Sequence, residues 1–272
     1  MLESRKREIR RQADSVREKC KISRYGILDL FRECERLGYK LIRYPLGENA
    51  DLGFSLKKDD DVIIFINTSS RLSRAIFTLA HEIGHVTLHL TENRKFIDDH
   101  STISGQNEDE KEQEANYFAA CLLMPSDEVS RFIDLELPDF WEKGLFGTDI
   151  ARMMSEFNVS YDMALNRLEY LGKIDSNQKI CLDTEKTEKR VGNLLRSIGG
   201  NAKLNVAGNE IDIPCEYLDY VIYNYNHNAI PLETLEKILE IYHLSMEDVS
   251  DRLMTHAEME DNLNDLIGGL DD

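Results

Sequence analysis

The sequence predicts an α+β fold: a small core of short mixed strands with one long helix packed on them, then a helical segment and a smaller C-terminal domain. Three observations carry this expectation. Leu41 to Tyr44, Gly53 to Leu56 and Val62 to Ile66 are short runs of strand character, the last of them apolar and β-branched. From Ser69 or Ser70, either of which can cap a helix, apolar residues recur at helical spacing to about Leu90. Beyond Thr148 the pattern becomes helix, short turn, helix as far as Leu171.

The remaining elements follow in order. Residues 1 to 20 are strongly charged and read as an exposed helix or a loose arm. Ile27, Leu28, Leu30 and Phe31 open a helix that Gly38 ends. Asp59-Asp60-Asp61 marks a turn. Thr91 to Asn107 is polar and long for a structureless connection, which suggests a functional or mobile loop. A helix spans about Glu108 to Met124; Pro125 stops it, and Ser126 can cap the next. Glu236 to Leu253 aligns with Ala151 to Leu168 at constant offset, a pattern common enough to arise in two unrelated helical hairpins. Lys203 to Val206 and Ile211 to Ile213 are candidate short strands, and Glu258 to Asp272 is an acidic tail expected to fray.

Composition narrows the function classes. The chain has 272 residues, 42% hydrophobic and 31% charged, enough to fill a core. No apolar run reaches membrane-spanning length, and the charged start is no secretory signal. Five cysteines, scattered and never in a CxxC, fit free thiols in a reducing cytoplasm. A net charge of -18 disfavours direct nucleic-acid binding; the basic run Arg5 to Arg11 reads as a solvated helix end.

The chemistry concentrates in His81-Glu82-Ile83-Gly84-His85. Histidines four apart on a helix share one face, one turn apart, and their nitrogens can converge on a single Zn²⁺. Glu82 can reach the open side of such a metal, and Gly84 lets a second helix approach closely. With 7 His in 272 residues, such a pair arises by chance roughly 0.2 times per chain, and requiring Glu after the first His leaves roughly 0.02. Accident is therefore a poor explanation. Catalytic zinc usually takes three protein ligands. In the following helix Glu112 shares a face with Ala115, Asn116 and Ala119, small residues suited to close packing, so Glu112 is the expected third ligand. Asn116 can hydrogen-bond a ligand. Glu114 points roughly 200° away from Glu112 and is expected to be dispensable for metal binding; Glu108 and Glu110 read as a solvated helix start. His89 lies about 12 Å along the helix from His81, too far to share one ion. It reads as structural or as part of a second site. His100, His227, His243 and His256 belong to no motif, and Tyr117 reads as packing.

His81-Glu82-Ile83-Gly84-His85, followed by Glu112-x-x-Ala115-Asn116-x-Phe118-Ala119-Ala120-x-Leu122-Leu123-Met124-Pro125, resembles the ImmA/IrrE family of bacterial metallopeptidases. Ile64-Phe65-Ile66-Asn67 and Phe77-Thr78-Leu79-Ala80 fit the same pattern, and the resemblance covers about residues 25 to 130. It implies a zincin-like (gluzincin-like) core, one Zn²⁺ per chain on His81, His85 and Glu112, and Glu82 as catalytic base. It also implies a phage, mobile-element, toxin-antitoxin or stress-response setting. The expected substrate is a helix-turn-helix (XRE-type) repressor or antitoxin, cleaved to derepress genes. The domain reading is then 1–24 for the charged N-terminal helix or arm, 25–135 for the peptidase, 136–176 for the helix-turn-helix-like segment and 177–272 for a C-terminal α/β partner or sensor module. The substrate is expected to extend the sheet beside Val62 to Ile66. The alternative is a non-proteolytic DNA-binding or partner-binding regulator that retains a zinc site. Against DNA binding, the presumed recognition helix, Ser160 to Leu171, carries Asp162, Arg167 and Glu169, a net -1.

Overall fold

The computed structural model describes all residues except 48–49, 51, 59–60, 91–109, 139 and 255–272. The expected loop at 91–107, most of the Asp59–Asp61 turn, Glu108, His100, His256 and the acidic tail therefore lie outside the described residues. The architecture is α+β, as predicted. A three-stranded sheet is made by β1 (Lys40–Tyr44), β2 (Gly53–Lys58) and β3 (Asp61–Asn67), in the order β1-β3-β2. β3 runs parallel to β1, pairing Leu41 with Ile64, and antiparallel to β2, pairing Ser55 with Ile64. Its apolar run is explained by this central position: Val62, Ile64, Phe65 and Ile66 are all buried. Both edges of β3 are occupied, so a substrate cannot add to it as the sequence suggested. Among the described residues, the outer edge of β2 has no strand partner.

The helix α2 (Leu30–Arg36) starts later than expected because the Asp29 carboxylate accepts from the backbone N–H groups of Phe31 and Arg32. Ile27 instead forms an isolated bridge with Ile22. The long helix α3 (Leu72–Leu88) lies on the sheet. Its N-cap is Arg71, without a side-chain cap, and Ser70 Oγ turns back to the Asn67 carbonyl, so neither predicted serine caps it. A Cβ on Gly53 would sit 2.8 Å from both the Phe65 carbonyl oxygen and Thr78 Cγ2, so a bare glycine lets β2 lie close under α3.

Helix α4 (Glu110–Leu123) packs on α3. The contact uses the small face read from the sequence: a Cβ on Gly84 would meet Phe118 Cδ1 at 3.1 Å and the Ala115 backbone at 3.3 Å, and Ala115 and Ala119 are fully buried. Gly84→Val is expected to force the two helices apart and cost about 1–3 kcal/mol of stability, read as a lower urea midpoint.

The N-terminal α1 (Glu3–Arg17) is not a loose arm. Ile9, Ala13 and Val16 are buried, and the helix packs against α4. Burying one such aliphatic side chain as large as Ile9 stabilises by about 1.5–3 kcal/mol. The basic run is likewise not purely solvated. Arg5 pairs with Glu114, and Arg10 donates to the Tyr117 hydroxyl at 3.3 Å. Tyr117 also meets Tyr170 edge-on, in keeping with a packing role.

After α4, α5 (Ser126–Glu136) begins with Ser126 as its first residue, Pro125 taking the cap position. The short α6 (Phe140–Lys143) leads to α7 (Gly147–Phe157) and α8 (Tyr161–Tyr170), the expected hairpin. Its turn uses Asn158 in the left-handed region, and Ser160 accepts from Met163 N–H as the cap of α8. Arg167 of α8 is buried rather than presented to solvent. Its Nε donates to the Met124 carbonyl at 2.8 Å, satisfying an orphan acceptor beyond the end of α4.

The chain forms two compact units, Met1–Asp212 and Ile213–Asp272. Residues 177–212, read from sequence with the C-terminal module, pack in the first unit. Helices α9 (Ser176–Lys189) and α10 (Val191–Ser197) place Leu182, Leu194 and Leu195 in the main core. The candidate strand at 203–206 is instead largely a 3-10 turn, Ala202–Asn205, because Asn201 caps it; Asp212 forms a single bridge to Arg43 of β1. In the second unit α11 (Cys215–Asn226) and α12 (Leu232–Ile241) enclose Leu218, Val221, Ile222, Leu235, Leu239 and Val249. The partial repeat extends to the turn: His243, like Asn158, is left-handed. Thereafter the second copy forms a 3-10 segment, Glu247–Arg252, in place of a helix. His227 stacks on Tyr223 at the surface.

Candidate metal centre

The helical spacing of α3 puts His81 and His85 side by side, ring centroids 4.6 Å apart and Nε2 atoms 2.9 Å apart. Glu112, on the first turn of α4, closes the triangle: one oxygen lies 3.1 Å from His81 Nε2, the other 3.0 Å from His85 Nε2. Among the described residues these three form the group of His, Cys, Asp or Glu side chains whose ligand atoms converge, all within 4.8 Å of one another.

The donor set fits a divalent cation. His81 Nδ1 lies 3.0 Å from Asn116 Oδ1. An amide oxygen only accepts, so this nitrogen carries the proton and Nε2 presents its lone pair to the centre. Two imidazole nitrogens and a carboxylate then aim electron pairs at one point, an arrangement that calls for positive charge between them. Their types, two N and one O, suit zinc and leave an open side.

The electrostatics agree. When protons rather than a cation occupy the Nε2 atoms of His81 and His85, the hydrogen bonds they donate hold the Glu112 carboxyl well below the usual carboxylate range, against the opposing effect of burial. Burial alone would lower the His81 pKa, but the bond to Glu112 and the nearby Glu82 charge raise it overall. A metal must therefore displace a proton held here. Because the His81 pKa is raised, zinc affinity is expected to rise with pH across and above the ordinary histidine range, and a chelator-competition titration would show it; a flat profile would contradict the assigned donor set.

Glu82 is 7% exposed. Burial pushes its carboxyl above the ordinary value, while His81, His85 and a hydrogen bond from Ser55 pull the other way. A carboxylate raised in pKa beside a cation site takes up a proton more readily than an ordinary one, as a general base must. Sequence reasoning missed Ser55, a small polar residue in an alternating strand with no motif around it.

His89 and Glu114 are also brought into the region. His89 terminates α3, with Nδ1 3.0 Å from His85 Nδ1 and Nε2 3.1 Å from Glu114 Oε2. Glu114 does point away from Glu112, but inward: its side chain is 8% exposed and Arg5 grips both oxygens.

No helix among the described residues is long and apolar enough to cross a membrane. No curated protein matches the chain. The family model Peptidase_M78, described as the IrrE N-terminal-like domain, matches residues 34–169. That span contains His81, Glu82, His85, Glu112, Asn116 and all but the last residue of the α7–α8 hairpin, and with half of its 272 residues matched, the chain belongs to the family of IrrE N-terminal-like peptidases.

Proposed function

We propose that this protein is a zinc-dependent endopeptidase acting on a helix-turn-helix repressor or antitoxin. The observation that carries the enzymatic reading is the convergence of His81, His85 and Glu112 beside the buried Glu82. His81, His85 and Glu112 would hold the zinc, which supplies Lewis acidity toward water and toward a peptide carbonyl. Glu82 takes the proton from the attacking water and returns it to the leaving amine. Ser55 orients the Glu82 carboxylate through their hydrogen bond. Because Ser55 belongs to β2, whose outer edge has no partner among the described residues, the substrate is expected to lie extended along β2, with backbone hydrogen bonds holding it in register.

The repressor as substrate rests on the resemblance and on charge. A chain of net -18 attracts a basic DNA-binding partner over long range. The buried Arg167, the arginine of α8, is committed to the Met124 carbonyl, which argues against α8 as a DNA-reading helix. The test is co-expression with a helix-turn-helix regulator encoded nearby, under inducing stress, comparing wild type with Glu82→Gln. One discrete fragment of the regulator with wild type alone is expected. An intact regulator while its target genes are induced would mean the protein acts without proteolysis.

A further inference from the structure

Two different devices set the two histidines of the centre. Asn116 orients His81, as described. His85 is held by a chain that begins 80 residues earlier in sequence, at Arg5 on α1. Arg5 Nε donates to Glu114 Oε1 at 2.7 Å and Nη2 to Oε2 at 2.5 Å, a bidentate pair on a buried carboxylate. Glu114 Oε2 lies 3.1 Å from His89 Nε2. A carboxylate paired to arginine is an acceptor, so His89 Nε2 carries the proton. The His89 Nδ1 lone pair then accepts the Nδ1–H of His85 across 3.0 Å. His85 is thereby left with an unprotonated Nε2, facing Glu112 and His81.

We propose that α1 is a positioning element of the metal centre: Arg5, acting through Glu114 and His89, fixes the tautomer and orientation of His85. The proposal rests on the metal reading above and extends it to residues that never touch the ion. Arg5 lies outside the family match, which begins at residue 34, so the family motif does not account for it. Alternative uses of these side chains are weaker. His89 cannot ligate the same ion without leaving Glu114, and among the described residues the further ion pair of Arg5 is with Glu8, a largely exposed i,i+3 contact of small worth. The relay also replaces the expectation that Glu114 is dispensable: it is the link between α1 and His89.

The test measures zinc affinity of the metal-free full chain by competition with a chromogenic chelator, with thermal melting in parallel. His89→Leu is expected to weaken zinc binding roughly 10–100-fold, the usual effect of losing a hydrogen-bond partner of a metal-bound histidine. His89→Gln, whose amide offers one acceptor and one donor as the imidazole does, should stay within about threefold of wild type. Arg5→Met should weaken binding in the wild-type background but add nothing in the His89→Leu background, while lowering the melting temperature in both. That split separates positioning through His89 from a general loss of packing. His89→Leu binding zinc as tightly as wild type would overturn the relay and leave the metal centre standing. So would an undiminished Arg5→Met effect in the absence of His89. A wild-type chain that binds no zinc would overturn both.

Discussion

Glu82→Gln is expected to leave the fold and the bound metal intact and to lower peptide cleavage by at least about 10²–10⁴-fold, the range that general base catalysis contributes. Glutamine is nearly isosteric and can still accept from Ser55, so the 7% exposed side chain keeps its place between α3 and β2. What it loses is basicity. The carboxyl of Glu82 is raised by burial but kept ionisable by His81 and His85, and an amide cannot take a proton from water at all. The measurement is the rate at which full-length regulator disappears, with metal content and melting temperature recorded for the same preparations. Normal cleavage by the variant would remove Glu82 from the chemistry.

Glu112→Ala acts one step earlier. It deletes the only carboxylate of the three converging groups and leaves His81 and His85, their Nε2 atoms 2.9 Å apart, with no carboxylate oxygen at the point where they meet. The expected loss of zinc affinity exceeds the roughly 10–100-fold that removal of an outer hydrogen-bond partner costs. Fold stability should suffer little without metal, because Glu112 is substantially exposed and its attraction to the histidines is screened by solvent. Chelator competition on the two metal-free proteins makes the comparison directly. Equal affinities would place the third ligand elsewhere.

What the sequence disclosed follows from the range of the interactions involved. His81 and His85 were legible because a helix fixes the geometry of residues four apart. Glu112 was legible because the small Ala115, one turn on, marks the side of α4 that packs closely on Gly84. The three strands were legible from their composition, but their order was not. That β3 is central and β2 the edge is a property of tertiary pairing, and it moved the expected substrate from one strand to the other. The role of α1 was hidden for a related reason. Its mean polarity suggested a solvated arm, yet Arg5, Ile9, Ala13 and Arg17 recur every four residues on one face. Arg5 finds Glu114 across 109 residues, and Arg17 reaches the Leu122 carbonyl across 105. Local periodicity shows that such a stripe exists; only the packed structure shows that its arginines face inward. Residues 177–212 behave similarly, since nothing in their composition tells which core Leu182, Leu194 and Leu195 fill.

Metal stoichiometry tests the central claim most directly. The full chain, stripped with chelator, resupplied with zinc and desalted, should carry roughly one tightly bound zinc per chain by elemental analysis, as a three-ligand site requires. A wild-type protein that is folded by circular dichroism and melting, yet retains no zinc after resupply, would contradict the assignment of His81, His85 and Glu112 as a metal centre.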